Sequence, residues 1–503
     1  RYERYFTAEY DADSGKFDYT VEVIASLSGT SSGVFLAEKD GNEQSISFLG
    51  EFNDSNVGYI ATVYASLWNT YTGGFAGELS SPPVLVDVLP TATLLKSVPG
   101  LQPVEVGSAM AFSGTVKSNG NVLLAFGSFA AELSPEMRVV NTIGLDLRAK
   151  GNYTSAGGVF TTPADTVFLK PSMGRQALKI VDGSSVFQPV NLGMDPFGPF
   201  TVLHDGSIAA IDSTSQRAVL ITNGRPGPLD IKTNASSYIS YLGTGPGGNI
   251  WSWDMIERQF RIFTKDGVLA ESAIPITSAS EYLAPMAFTI YPDGSYLLFV
   301  SGAAGFELRR YARNGVLRWK LNELQFPFPE PMPNNLAMAF DPENAYLYIL
   351  DTMGKRVIRM FDSSWAEERG IKNSHVSEII KMNQQLISDP YNAELFRKKA
   401  EVYIQRGAVE LAIAAWNDVL VANPYDADAR DQVIRLETQV MRVMAQAETE
   451  KTFAVLDQFG PASAQLQYMT TLQIYEQILN LAPDDDATRK EMDNLMRKFQ
   501  ARN

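Results

Sequence analysis

The feature that most restricts what this chain can become is a short β-rich unit that recurs six times between about residues 90 and 364. Its clearest copy is AFDPENAYLYILDTMGKRVIRMFD, residues 339–362. AMAF runs into the turn Asp341-Pro342-Glu343-Asn344, AYLYIL is a β-rich run ending at Asp351, TMGK turns again, and RVIRMF alternates polar and apolar with period two. Anchored on the middle strand, the copies begin at Val122, Val167, Ile208, Ile250, Tyr296 and Leu347, spaced 45, 41, 42, 46 and 51 residues apart. Four of these strands follow a turn dipeptide: Asn119-Gly120, Asp205-Gly206, Gly247-Gly248 and Asp293-Gly294. Such pairs reach positive φ at little steric cost. A unit this small cannot bury its own apolar face, so the repeats must pack on one another.

A period of roughly 40–50 residues is that of the four-stranded blade of a β-propeller, and six copies predict six blades over residues 91–364. In three copies the middle strand ends in Asp and an Arg follows the next turn: Asp212…Arg217, Asp254…Arg258 and Asp351…Arg356. A fourth, Lys170…Arg175, has lost the acid. These segments resemble NHL repeats, through DSTSQRAVLI, DMIERQFRIF and DTMGKRVIRMF. The Val122 and Tyr296 copies match less well, and Asn314–Lys320 (NGVLRWK) looks more like the repeats of quinoprotein-type propellers. The Asp is expected to accept backbone N–H bonds in its turn, and the Arg to pair with it or with the next blade. A ligand role for these arginines is the alternative.

Residues 1–90 do not follow the period. DYTVEVIASL, GVFLAEKD, QSISFLGEF, GYIATVYASL and PPVLVDVL alternate like strands with turns at short intervals, which suits a β-sandwich. The last two resemble the closing strands of bacterial Ig-like or fibronectin-type modules; irregular blades of a larger propeller are the other reading. Asp11-Ala12-Asp13-Ser14-Gly15 makes Asp11 and Asp13 candidate calcium ligands. Ca²⁺ takes six or more oxygens and no bidentate Glu follows, so a hairpin turn is the expectation. Pro82-Pro83 and the stretch from Pro90 to Pro103 read as a stiff junction. Phe326–Pro333, with four prolines, reads as a rigid inter-blade loop packed by Phe326 and Phe328.

Near Ser364 the apolar period changes to 3.6, and residues 374–503 read as helical. Pro390 and Pro424 stand 34 residues apart, in the related contexts DPYNAE and NPYDAD. Between them Phe396, Ala400, Tyr403, Gly407, Ala412, Trp416 and Pro424 resemble the signature of one tetratricopeptide (TPR) repeat, a helix hairpin in which small and large residues interlock. Ser374–Ile387 looks like a second helix of a preceding repeat, and Tyr468–Pro483 like that of a later one. A helix from about Ala427 to Thr449, with a break at Phe459-Gly460-Pro461, would absorb the extra length between Pro424 and Pro483. The resemblance implies a groove faced by Arg397, Glu401, Ile404 and Gln405. Glu401 stands where chaperone-tail clamps have Asn, which argues against capture of a C-terminal carboxylate. Asp484-Asp485-Asp486 reads as a helix cap rather than a metal site.

Composition excludes several functions. The 503 residues carry a net charge of −15, which opposes binding to nucleic acid or anionic membranes. There is no Cys, hence no disulfide, thiolate metal site or cysteine nucleophile. The two histidines, His204 and His375, stand in different modules and build neither a triad nor a metal centre. No Walker or Rossmann fingerprint occurs, no cofactor is expected, and no apolar run spans a bilayer. Trp251 and Trp253 share one face of a strand, where inter-blade packing is the commoner role and sugar stacking the other. The opening RYERYFTAEY suggests a trimmed secretory leader, with any lipid anchor upstream. The resulting expectation is a non-enzymatic, extracytoplasmic scaffold that binds proteins through the TPR groove and propeller face. Its domain order looks like that of spirochaete periplasmic proteins of flagellar motor assembly. A ligand-binding or hydrolase/lyase-type propeller using its central funnel is the alternative.

Overall fold

A computed structural model describes residues 82–95 and most of 111–501, together with the strands of residues 3–68. Six four-stranded antiparallel sheets are formed, five of them from four consecutive strands, and the chain is a six-bladed β-propeller with a C-terminal helical region. Blades one to five span residues 111–144, 156–191, 200–228, 239–273 and 284–322. The anchors read from the repeat open the second strand of every blade: Val122–Phe126, Val167–Pro171, Ile208–Ile211, Ile250–Asp254, Tyr296–Gly302 and, one residue early, Tyr346–Asp351. The turn glycines take the expected backbone, with φ of 80° at Gly120, 81° at Gly206 and 82° at Gly294.

Blade six departs from the sequence reading. Leu336–Asp341, Tyr346–Asp351 and Arg356–Phe361 supply three strands, and the fourth is Val84–Pro90, counted above with the N-terminal region. This closing strand pairs antiparallel with Arg356–Phe361 and skips one residue opposite Arg359 and Met360. The remaining N-terminal strands form two three-stranded sheets within residues 3–68. The packing that would make them a sandwich lies outside the described residues, as does the proline-rich loop Phe326–Pro333.

The chain divides into two compact units. One holds residues 192–334 and 362–370 together with residues 1–83. Blades three and four share a core of Leu203, Ala209, Ile211, Leu242, Ile250 and Phe263. Blades four and five share Trp251, Trp253, Phe260, Tyr296, Leu298 and Tyr311. Both tryptophans belong to this inter-blade core: Trp251 lies 5.9 Å from Tyr296 of blade five, and Trp251 and Trp253 meet Phe260 of their own blade at 5.4 and 5.0 Å. Helix α2 (Ser363–Arg369) folds onto blade five, and its fully buried Trp365 meets Tyr291 edge-on at 5.3 Å.

The other unit holds residues 84–191, 335–361 and 371–503. After the closing strand comes the short helix α1 (Thr91–Leu95). The helical region continues through α3 (Ser374–Ser388), α4 (Ala393–Gln405), α5 (Val409–Ala422), α6 (Ala427–Phe459), α7 (Pro461–Leu481) and α8 (Asp486–Gln500). Helix α6 runs ten residues past the expected end and stops at Gly460, whose φ of 80° lets the chain turn into Pro461. Asp485 caps α8 by accepting from the Thr488 N–H at 3.2 Å. One apolar core runs from blades one and six (Val86, Leu89, Leu124, Leu350) into α3–α6 (Ile379, Tyr403, Ala412, Leu436). The hairpin α4–α5 is thus built onto the propeller rather than standing free.

Candidate functional site

Among the described residues, Asp254 and Asp351 bond within their own turns. Asp254, buried at a strand end, accepts the backbone N–H groups of Ile256 and Glu257 at 2.9 and 3.1 Å. Asp351 accepts from Arg356 Nε at 2.8 Å. Arg258 sits one residue earlier in its turn than Arg356, exposed, with a left-handed φ of 55° that matches Lys355 at 51°. Arg261, on the following strand, approaches Asp254 at 3.5 Å and Glu257 at 2.6 Å. Asp212, Arg217, Asp13 and Arg175 lie outside the described residues; Asp11 ends the first strand, opposite Lys16.

In the hairpin, Ala400, Tyr403, Ala412 and Trp416 are buried, and Phe396 is half-buried. Gly407, at φ 69°, lets α4 turn into α5, and Pro424 is exposed in the turn before α6. Of the four groove candidates, Glu401 and Gln405 are exposed and Ile404 packs its apolar surface against the shared core. Arg397 is committed: it donates to Asp426, the cap of α6, and lies 5.9 Å from the Trp416 ring.

Opposite that face is a buried polar seam that sequence reasoning missed. Helices α3 and α5 lie against the closing strand. Asp87, fully buried on that strand, accepts from Arg359 on the neighbouring strand and from the Tyr403 hydroxyl of α4. Arg359 also stacks 4.5 Å above Tyr346 and donates to the Pro135 carbonyl. Asn383 of α3 donates to the carbonyls of Leu85 and Val86 at 3.0 and 2.9 Å, and its own oxygen accepts from Lys399 Nζ at 2.8 Å. Burial, reinforced by Asp87, holds the Tyr403 hydroxyl protonated well above the usual tyrosine range. Burial lowers the Lys399 pKa, against the opposing pull of Asp87 and Asp418. The only hint in sequence is PPVLVDVL itself, a strand pattern carrying one acid among apolar residues.

Within the other unit, a polar cleft of about 320 Å³ lies beside α2, between Asp293, Arg310 and Arg313 of blade five and Glu368. Arg310 is buried and bonded to Asp362 at 3.2 Å and Ser295 at 3.2 Å, with Tyr291 4.3 Å from its guanidinium. Arg313 is paired with Glu271 at 2.9 Å. Asp293 lies 3.7 Å from Arg310, and Glu368 pairs with Arg369 at 3.4 Å. His204 is an exposed turn residue, and among the described residues no group of three or more His, Asp and Glu is placed to hold a metal. Among them, too, no helix is long and apolar enough to cross a membrane.

No family model and no curated protein matches the chain. Among solved structures it is similar to a streptogramin B lyase, at 12% identity and a TM-score of 0.37 over 50% of this chain and 92% of that one. It is also similar to virginiamycin B lyase from Staphylococcus aureus, at 10% and 0.35 over 72% and 99%. A third is regucalcin, a calcium-binding protein from Agrobacterium tumefaciens, at 10% and 0.36 over 55% and 93%. Likeness at this level is one of fold and carries nothing about chemistry.

Proposed function

We propose that the chain is a non-enzymatic scaffold that holds a protein partner on its helical region, in an extracytoplasmic, envelope-associated assembly. The observation that carries this reading is the division of the hairpin's surface. Helices α3 and α5 pack on the closing strand, while α4 keeps Glu401 and Gln405 exposed beside the half-buried Ile404. A hairpin fixed on one side and open on another is a rigid mount for a partner. NHL-type blades and a TPR-type hairpin belong to this reading, as does the periplasm, where a chain without Cys has no thiol to oxidise. The domain order points further to a flagellar motor assembly.

The test is affinity capture from the native host's envelope fraction with the full chain and with Glu401→Arg/Gln405→Arg. Both positions are exposed, so the variant should unfold like the wild type. A protein held by the wild type and lost from the variant supports the scaffold. The same proteins held by both, or none held while a small molecule raises the thermal midpoint, would remove it. A truncation at Ser364 is a poor substitute, since it strips the cover from the closing strand.

A further inference from the structure

The closing strand is an edge strand whose one ladder partner lies far away in sequence. It comes from residue 84 onward, yet pairs with residues 356–361, so a loop of some 270 residues is closed when it docks. Loop closure opposes such a contact. It has one ladder neighbour in its sheet, and that ladder is irregular where Val86 is skipped. A bulge leaves backbone groups without ladder partners, and an edge strand needs cover.

The helical region supplies both. The Asn383 amide nitrogen donates to the carbonyls of Leu85 and of the skipped Val86. Asp87 is held by Arg359 from within the blade and by Tyr403 from α4. Lys399 fixes the Asn383 amide from behind. Val86 and Leu89 are buried in the core shared with α3–α5. We infer that α3–α5 are a latch on the closing strand: Val84–Pro90 stays on blade six while these helices are seated and leaves it only when they lift. The closure of blade six and the seating of the helical region are then one conformational event. Whatever loads the helical region acts on the propeller through this strand. The inference stands whether or not α4 carries a partner.

The chain has no Cys, so a single introduced thiol reports opening cleanly. Val86→Cys places it at a position 1% exposed in the closing strand, and Ile262→Cys places a reference at a position 1% exposed in blade four. Thiol labelling is timed in each, in the full chain, with and without Asn383→Leu or Tyr403→Phe. The latch predicts labelling at 86 accelerated about tenfold or more by either change, and unaltered at 262. Unchanged labelling at 86, or equal acceleration at both positions, overturns it. A second measurement needs no variant: native-state hydrogen exchange of the unaltered chain in rising denaturant. The latch predicts that residues 84–90 and 374–422 exchange through a common opening. Exchange of the strand through an opening that leaves α3–α5 protected overturns it.

Discussion

Arg359→Met tests the buried seam most sharply. Asp87 is fully buried and the Arg359 side chain is 8% exposed, so removing the guanidinium leaves a carboxylate in the core with the Tyr403 hydroxyl as its remaining side-chain donor among the described residues. Breaking one side of such a pair costs about 3–5 kcal/mol, whereas an exposed pair is worth about 0–1 kcal/mol. Loss of the stacking on Tyr346 is contained in that figure. Replacing both partners, Asp87→Leu with Arg359→Met, leaves no unpaired charge and should return to within about 2 kcal/mol of the wild type, the remainder reflecting the lost partner of Tyr403. The assay is urea unfolding followed by circular dichroism and hydrogen exchange, which separates the two compact units. The reasoning fails if the single variant costs less than about 1 kcal/mol, the range of exposed pairs, or if the double variant is less stable than the single.

Three further outcomes follow from local geometry. Gly245→Ala puts a Cβ into the Trp251 indole, so the ring or the turn must shift; a loss of about 1–3 kcal/mol and a changed tryptophan fluorescence are expected. Trp365→Ala removes a fully buried ring that lies between Tyr291 and Arg369, and should cost about 3–5 kcal/mol in unfolding experiments, with α2 losing its exchange protection. Burial lowers the Lys170 pKa from 10.5 to about 8. The unfolded chain keeps the proton that the folded chain releases between those values, so stability rises with pH from about 8 to 10.5, and the penalty is fully present below pH 8. Lys170→Met should stabilise the protein by about 1–3 kcal/mol at pH 7 and flatten that rise in a denaturation series against pH.

The propeller was legible because its determinants are local. A turn at Asn119-Gly120 or Asp293-Gly294 needs positive φ, and the branched or aromatic run after it needs burial on both faces; both are written in adjacent residues. The origin of the last strand was not local, since Val84–Pro90 reads as a strand but says nothing of its partner some 270 residues away. One clue was available: the final copy, residues 336–361, holds three strands before the helices begin, and a four-stranded blade needs a fourth. The Arg of the repeat misaligned for a countable reason. The turn after Asp254 is one residue shorter to its Arg than the turn after Asp351, so Arg258 falls where Lys355 stands and Gln259 takes the strand position of Arg356.

Within the hairpin, the pattern of Ala400, Tyr403, Ala412 and Trp416 correctly marks buried positions, but not against what they are buried. Tyr403 reads from sequence as groove filler between two helices; it also bonds a carboxylate on the propeller. Asn383 and Lys399 look like the polar face of amphipathic helices, and only the position of Leu85 and Val86 shows why they are kept from water. Interactions between modules leave no periodic trace in either module.

The scaffold reading is tested most directly by site-specific photo-cross-linking in the native host, with the reactive residue placed in turn at Glu401, at Gln405 and, as a reference, at the exposed Ile256 of blade four. The account predicts a discrete protein adduct from 401 or 405 and none of the same mass from 256. No adduct from α4, or the same adducts from all three positions, would contradict it.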